Sequence, residues 1–312
     1  MTLPVSVIMP AYAHADYILS SLDSVLAQAV PPREVIVVDD GSPDDTAIRL
    51  APLVKANRIR YLRQPNAGMA TARNAGAALA TSEYLYFLDD DDLLFPGALS
   101  WLVDELDRHP GAAMGCGESV LFSGEPPDAP VMTSETWLVD RTRFLLFNQV
   151  GSPGQVLIRR TAFEELGGFD VSIWGTDDWD LWLRLLDRYP ARWARRPVVA
   201  YRVHRENASR NVARMYESSL RVARRHVGSL PLPRRTVVRR FTYRALRRYH
   251  VPRLEQLLWA ACRRGEWRLA AAAARAWVLA WVADAGASFR LQAHLVGQGR
   301  WRLPPDEPLL RV

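Results

Sequence analysis

Four consecutive aspartates, at residues 89–92, directly follow the apolar run at residues 84–88. Carboxylates packed this closely repel one another, so the cluster is costly at the end of a buried strand unless a cation neutralises it. Hard divalent cations take oxygen ligands, and Mg²⁺ commonly combines one or two carboxylates with substrate phosphates. On an extended segment, Asp89 and Asp91 would share one face. The run therefore predicts a metal–phosphate site, and its alternative is a solvated acidic turn.

A second acidic pair, Asp39 and Asp40, follows the apolar run at residues 34–38 and precedes Gly41 and Ser42. A carboxylate in this position can accept hydrogen bonds from a base or a ribose, as at other α/β nucleotide sites. It can equally form a turn that caps the next helix, for which Ser42 and the acids at residues 44 and 45 are suited. The residues alone leave both interpretations open.

The segment at residues 66–76 enters a predicted helix through glycine and other small residues. Gly68 would let backbone approach a ligand, and Arg73 could direct its guanidinium at an anion. The alternative is tight packing of a helix on a sheet, which also requires small residues.

A third acidic group, at residues 177, 178 and 180, lies at the start of a predicted amphipathic helix at residues 178–189. A carboxylate at a helix N-terminus is favoured by the helix dipole, which keeps it ionised. That environment suits Asp178 as a general base, and it suits a capping residue as well. From the residues alone, the capping role is the better supported of the two.

Strands and helices must position these groups, and over the first 100 residues they alternate. Apolar runs predict strands at residues 5–9, 34–38, 58–62 and 84–88, and helical spacing predicts helices at 17–29, 46–54 and 68–80. Near-continuous apolar strands indicate a parallel sheet covered on both faces. Ligands bind at the carboxyl ends of such strands, where residues 10–12, 39–40 and 89–92 fall.

Composition and charge narrow the class of protein. The 312 residues carry a net charge of +6, but residues 1–212 hold 20 basic and 28 acidic side chains, whereas residues 213–312 hold 20 and 6. An acidic body with a basic tail argues against a nucleic-acid-binding protein. Two distant cysteines exclude a disulfide framework and argue against a structural zinc site. Without a leader or a sufficiently long apolar segment, we expect a cytoplasmic protein.

Taken together, the motifs resemble the family 2 glycosyltransferases, which have the GT-A fold. The resemblance covers roughly residues 3–210. Its motifs occur in the family's order: VSVIMPAY at 5–12, VVDDGS at 37–42, NAG at 66–68, ARNAG at 72–76, FLDDDD at 87–92, GGFD at 167–170 and DDWD at 177–180. Two positions depart from the family pattern, because Ala13 replaces a frequent Asn and Asp177 replaces the more usual Glu.

The resemblance implies a role for each matched residue. The donor nucleotide would be bound by Pro10, Ala11, Tyr12, Asp39, Asp40, Gly68, Arg73, Asp89 and Asp90. The metal set would be Asp91 as direct ligand, with Asp89 and His204. For His204, which lies in YRVH at 201–204, a surface or packing role stays open. Asp178 would be the catalytic base.

The implied activity is an inverting transfer of a sugar from a nucleotide-diphospho-sugar to an acceptor hydroxyl, assisted by Mg²⁺ or Mn²⁺. We expect a UDP-sugar donor, a glycan or lipid-linked acceptor, and a role in cell-surface glycan or glycoconjugate synthesis. The alternatives are a non-catalytic nucleotide-sugar-binding protein and a sugar-nucleotide nucleotidyltransferase. The latter would favour a phosphate loop with Gly and Lys, which residues 11–14 lack.

The expected organisation is a GT-A catalytic domain at residues 1–212, followed by an α-helical region at 213–312. The nucleotide-sugar half would occupy about residues 1–100, and the acceptor half residues 101–212, with a polar loop at 123–136. The basic helical region either packs with its arginines solvated or contacts anionic lipid or a phosphate-bearing acceptor at the inner face of the membrane. Its candidate anchors are Trp259, Trp267, Trp277 and Trp281.

Overall fold

The computed structural model describes residues 2–128, 136–146, 148–232 and 234–297. The chain divides into two units: the first holds residues 1–139 and 150–207, and the second holds residues 140–149 and 208–312. The sequence-based boundary between residues 212 and 213 falls a few residues beyond the structural one. The assignment of residues 140–149 to the helical unit had no counterpart in the sequence analysis.

The first hundred residues form the predicted alternation of strands and helices. The elements are β1 (Leu3–Ala11), α1 (Ala15–Leu26), β2 (Pro32–Asp39), α2 (Thr46–Lys55), β3 (Arg60–Arg63), α3 (Met69–Leu79) and β4 (Tyr84–Phe87). In the order β3-β2-β1-β4 all neighbouring strands are parallel, with β3 at the edge. β1 and β4 are buried almost throughout, as strands covered on both faces must be. The predicted parallel sheet is confirmed for this half.

The rest of the first unit extends the same sheet with mixed strand directions. The chain continues through β5 (Leu93–Leu94), α4 (Ala98–Arg108), β6 (Met114–Phe122), β7 (Thr136–Leu138), α5 (Arg141–Leu146, in the second unit), β8 (Val156–Arg159), α6 (Arg160–Glu165), α7 (Asp177–Leu186) and β9 (Ala191–Arg202). The described residues thus form a nine-stranded sheet in which β8 joins β4 antiparallel and β6 joins β9 parallel. Of the loop predicted at 123–136, residues 129–135 lie outside the described residues.

Strand register brings the candidate residues to one edge of the sheet. Ala11 pairs with Asp39 across β1 and β2, and Ile8 pairs with Phe87 across β1 and β4. The carboxyl ends of these three parallel strands are therefore neighbours. Leu93 of β5 pairs with Ala200 of β9, which places the end of β9 beside the segment that follows β4. Four chain segments that are distant in sequence meet at this edge.

Helix α3 can lie close to the sheet because its sequence is rich in small residues. Gly76 faces β1 so closely that a Cβ built there would come 2.5 Å from Cγ2 of Ile8. The predicted packing role of the small residues is thus realised at Gly76. At Gly68, which precedes α3 with φ +91, no described atom lies within 4 Å of such a Cβ. The backbone at Gly68 is therefore open to its surroundings.

The second unit is helical. It contains α5, α8 (Val212–Gly228), α9 (Arg234–Arg264) and α10 (Trp267–Gly297). α9 begins well before the helix predicted at residues 254–264, and it includes Pro252 in its interior. The predicted break at Gly265, where φ is +71, is confirmed. Among the described helices, none combines the length and apolar character that a membrane crossing requires. Residues 298–312 of the basic region lie outside the described residues.

Candidate active site

The four aspartates at residues 89–92 form a turn in which the Asp92 amide donates to the Asp89 carbonyl, at 3.2 Å. The expectation of an extended segment was therefore wrong. A turn points the four side chains in different directions, so each carboxylate has its own partner. Cationic side chains and backbone amides of the chain contact this cluster. They offset part of the repulsion among the carboxylates, from which the sequence alone predicted a metal.

Asp90 faces the loop that follows β1. Its Oδ2 accepts from the Tyr12 amide at 3.0 Å, and its Oδ1 lies 2.8 Å from Nδ1 of His14. Burial alone would lower the pKa of His14, but the hydrogen bond to Asp90 and the charges of Asp90 and Asp91 raise that pKa to about 9. Asp90 thus fixes the loop that carries Tyr12, whose side chain is 45% exposed. In this structure Asp90 has a structural partner on the predicted nucleobase loop.

Asp91 faces the segment that follows β9. Its Oδ2 lies 2.7 Å from Nε2 of His204 and 3.4 Å from Nδ2 of Asn207. Asn207 also accepts from the His204 amide at 2.6 Å, so it holds the segment in place. Burial and the charge of Asp89 raise the pKa of Asp91. The structure brings Asp91 and His204 together, as the resemblance implied.

The donor set around Asp91 fits a divalent cation. One ligand atom from each of His14, His204 and Glu206 lies within 4.8 Å of the others. Carboxylate oxygens suit Mg²⁺ and Mn²⁺, and imidazole nitrogen is a further ligand for transition metals. Nε2 of His204 lies 2.7 Å from Asp91, and metal binding to imidazole and carboxylate ligands is usually accompanied by proton release. The residue types are therefore compatible with the predicted cofactor, and the structure groups His14 and Glu206, which the sequence analysis did not name as ligands, with the predicted ligand His204.

Asp92 has a structural role that the sequence did not assign. It is fully buried and accepts from Oγ of Ser152 at 2.9 Å and from the Arg202 amide at 3.0 Å. Nε of Arg202 donates to the Asp91 carbonyl at 2.8 Å, and its guanidinium stacks on Tyr17 and Phe122. Arg202 thus joins the end of β9 to the aspartate turn. The YRVH motif was the available signal for it.

Arg73 connects two acidic motifs. Its side chain is 3% exposed; one Nη lies 2.7 Å from Asp89 and the other 2.9 Å from Asp177. Burial alone would lower the pKa of the guanidinium, but the charges of Asp89 and Asp177 outweigh that effect and raise it. The anions that Arg73 contacts are therefore carboxylates of the chain itself. Asp89, whose side chain is 21% exposed, shares one oxygen with this ion pair.

Asn74, which follows Arg73 in the sequence, makes a second contact with the segment that precedes α7. Asn74 donates to the Phe169 carbonyl at 2.8 Å and accepts from the Phe169 amide at 2.9 Å. A Cβ at Gly168, where φ is +74, would come 2.6 Å from Oδ1 of Asn74. These contacts explain why the second glycine of GGFD is required. Together, the Arg73 and Asn74 contacts position the start of α7.

Asp178 occupies the first turn of α7 and is 8% exposed. Its Oδ1 accepts from the Trp179 amide at 2.7 Å. The cap position is Thr176, so the capping role favoured for Asp178 from sequence alone was wrong. Burial and, to a smaller extent, the charge of Asp177 raise the pKa of Asp178 and Arg73 lowers it, with a net result of about 7. A carboxyl group with this pKa can both accept and release a proton near neutral pH.

Asp39 and Asp40 end β2, and both are engaged by the chain. Asp39 accepts from the Ser42 amide at 2.7 Å and from the Tyr61 hydroxyl at 2.5 Å. Asp40 accepts from the amides of Ala67 and Gly68, at 2.9 and 2.8 Å. Asp39 thus closes a turn with Ser42, whereas Asp40 bonds the distant loop before α3, and the N-cap of α2 is Asp45. Asp40 fixes the loop before α3 through the Gly68 amide, and the space where a Cβ of Gly68 would lie stays open. Pro10 and Ala11 lie at the end of β1, where both are buried and Ala11 pairs with Asp39 of β2.

The fold is a mixed, mostly parallel α/β sheet whose strand ends bring carboxylates and imidazoles together. The chain belongs to glycosyltransferase family 2. The profile described as "Glycosyl transferase family 2" matches residues 6–167, and that described as "Glycosyltransferase like family 2" matches residues 128–248.

Relatives in other organisms share the first two thirds of the chain. The chain is 28% identical to an uncharacterized glycosyltransferase of Rickettsia felis over 219 residues, which are 67% of this chain and 36% of that protein. It is 28% identical to the chondroitin synthase of Escherichia coli over 207 residues, 66% of this chain and 30% of the synthase. The chain thus spans about a third of the length of these two relatives.

Solved structures share the fold. S. aureus TarS 1-349 has a TM-score of 0.64 and 17% identity, with 97% of this chain and 93% of that chain covered. The mannosyltransferase PcManGT of Pyrobaculum calidifontis, in complex with GDP-Man and Mn²⁺, has a TM-score of 0.58 and 20% identity, covering 95% and 86%. The sheet is therefore of GT-A type, and helices α8–α10 follow it.

Proposed function

We propose that the chain is an inverting, metal-dependent glycosyltransferase that moves a sugar from a nucleotide-diphospho-sugar to an acceptor hydroxyl. The observation that carries this proposal is Asp178, a buried carboxyl group at the start of α7 with its pKa raised to about 7. It is tied through the Arg73 ion pairs to the aspartate turn. Family membership supplies the reaction class.

Asp178 would accept the proton of the acceptor hydroxyl while that oxygen attacks the anomeric carbon of the donor. The sugar–phosphate bond breaks in the same step, and the nucleoside diphosphate leaves with its electron pair. A single displacement inverts the anomeric configuration and needs no enzyme nucleophile. The ionised form of Asp178 is the reactive one, because only that form can accept the proton.

The metal ligands would be Asp91, Asp89 and His204. When bound, Mg²⁺ or Mn²⁺ would offset the negative charge that develops on the leaving diphosphate. Asp89 would divide its two oxygens between this role and Arg73, which holds it in place. Asn207 would orient His204, whose amide it already accepts from.

The donor nucleotide would lie over Pro10, Ala11, Tyr12 and the open backbone of Gly68, with Asp39, Asp40, Asp90 and Arg73 shaping that surface. We propose a UDP-sugar, which agrees with the S. aureus TarS structures in complex with UDP and with UDP-GlcNAc. The GDP-Man complex of PcManGT keeps a GDP-sugar among the donors to be tested. The name chondroitin synthase supports an acceptor that is a glycan and a role in glycan synthesis.

For location, we propose the cytoplasm, with peripheral contact at anionic membrane through the helical unit. The side chains of Trp259 and Trp267 are 68% and 70% exposed, and an aromatic ring beside arginines suits the membrane interface. Trp277 instead donates to Glu255 at 2.9 Å, and Arg247 stacks on Trp281. The first two tryptophans therefore support the contact more strongly than the other two.

A donor screen tests the proposed activity. The full chain is incubated with UDP-, GDP- and dTDP-sugars in Mg²⁺, Mn²⁺ or chelator, and release of nucleoside diphosphate is measured beside calorimetric binding of the nucleotide. We expect one nucleotide class to bind, and its release to need metal and to fail in Asp178→Asn. If Asp178→Asn leaves binding and metal-dependent release unchanged, Asp178 is not the catalytic base. Binding with no release for any donor or glycan acceptor would favour a binding protein, and no binding at all would refute the proposal.

A further inference from the structure

The helical unit contains a cavity of about 400 Å³ between the end of α8 and the first turns of α9. That volume lies near the lower end of the range for small-molecule sites, about 300–1,000 Å³. The cavity is lined by polar and apolar side chains, among them Arg224, Leu232, Arg235, Thr236, Arg239 and Tyr243.

Three arginines share this cavity, and among the described residues that line it none is acidic. Arg224 is exposed, whereas Arg235 and Arg239 are half-buried. Like charges brought together in a partly desolvated space repel one another, and an anion relieves that repulsion. The positive charge of the arginines therefore favours binding of a negatively charged ligand in the cavity.

The arginines keep donors available. Arg235 donates one Nη1 bond, to the Gly228 carbonyl at 3.1 Å. Nε of Arg239 is buried and has no hydrogen-bond partner within the described part of the chain, while its guanidinium lies 5.3 Å from the ring centre of Tyr243. A buried donor without a partner costs free energy, so the chain leaves the guanidinium of Arg239 incompletely satisfied. The Thr236 hydroxyl, on the same wall, can donate as well.

We propose that this cavity binds a phosphoryl group. Planar guanidinium groups match phosphate oxygens in bidentate geometry, and Arg is preferred over Lys for this purpose. The volume exceeds the need of one phosphate, and Leu232, which is 59% exposed, adds an apolar wall for the rest of the molecule. The ligand is thus a phosphate ester, carried either by a lipid headgroup or by a soluble compound.

This site is formed by α8, α9 and their connection alone, and it does not depend on the proposed transferase activity. It gives the excess of arginine after residue 213 a specific function. The phosphoryl site and the donor site can therefore fail or hold independently, because phosphate binding is measured without any sugar transfer.

The test compares two double variants of the full chain with equal loss of charge. Arg235→Gln with Arg239→Gln removes two cavity arginines, while Arg263→Gln with Arg268→Gln removes two exposed arginines elsewhere in the same unit. Glycerol 1-phosphate binding is measured by calorimetry, and flotation is measured with phosphatidylcholine vesicles with and without phosphatidylglycerol. Circular dichroism confirms that each variant is folded.

We expect the cavity variant to lose at least tenfold in affinity and the control to stay within about twofold, the contrast expected when charge-assisted hydrogen bonds are removed. A selective loss for glycerol 1-phosphate assigns a soluble ligand, and a selective loss of flotation assigns a lipid headgroup. Equal effects in both variants, or no binding of either probe by the unmodified chain, overturn the proposal. If the cavity variant fails to fold, Arg224→Gln is compared with Arg263→Gln under the same criteria.

Discussion

Replacement of Asp178 by Asn tests the central chemical assignment. Asn keeps the shape of the side chain and an oxygen for the Trp179 amide, which donates to Asp178 at 2.7 Å. It removes the ability to accept a proton together with the negative charge of the ionised form. A positioned general base contributes about 10²–10⁴-fold to a reaction. We therefore expect kcat to fall by about that factor, while the affinity for the nucleoside diphosphate changes by less than about threefold.

The pH profile gives a second, independent magnitude. With its pKa raised to about 7, the ionised fraction of Asp178 increases roughly tenfold between pH 6 and pH 8. The kcat/KM of the unmodified chain should rise by about the same factor and level off above pH 8. In Asp178→Asn this limb should be absent. Both profiles are measured by nucleoside diphosphate release at saturating metal.

Stability should change in the opposite direction to activity. Because folding raises the pKa of Asp178, the unfolded chain binds fewer protons at this group, and stability is lost as the pH rises from about 4 to 7. Asn removes that loss, so the variant should melt at least about 2 °C higher than the unmodified chain at pH 8, with a smaller difference at pH 5. Asp187→Asn, at the exposed end of α7, is the control. An unchanged pH limb in Asp178→Asn would refute the reasoning.

Three further predictions address the residues around the base. Arg73→Met should lower the free energy of unfolding by about 3–5 kcal/mol in denaturant titrations, because the buried Asp177 and the partly buried Asp89 lose their cation; a loss below about 1 kcal/mol would contradict the bridge. Gly76→Val should cost about 1–3 kcal/mol in thermal melts through its contact with Ile8, whereas Gly111→Val, in open space, should not; equal costs would count against the packing argument. His204→Ala should raise the Mn²⁺ concentration for half-maximal activity at least tenfold, and an unchanged requirement would exclude it as a ligand.

The sequence was informative wherever local pattern decides structure. The continuous apolar runs of β1, β2 and β4 predicted parallel strands, and their carboxyl ends do lie side by side. The ordered motifs identified the family. The helix boundaries were less accurate: α1 ends at Leu26 rather than at residue 29, and α9 begins twenty residues before the helix that was predicted at 254. A proline inside a long helix is locally unfavourable, and packing within the helical unit overrides that preference.

Which carboxylate meets which partner could not be predicted from the sequence. Arg73 lies 104 positions from Asp177, and His204 lies 113 positions from Asp91. The alternation rule for an extended segment also failed, because residues 89–92 turn and separate the four side chains. By itself, the sequence determined the parallel half of the sheet, its strand ends and the family; the tertiary structure decided the mixed half of the sheet, the ion pairs, the buried environment of Asp178 and the arginine cavity. The physical reason is that hydrophobic periodicity is local, whereas charge pairing and burial depend on segments that only the folded sheet brings together.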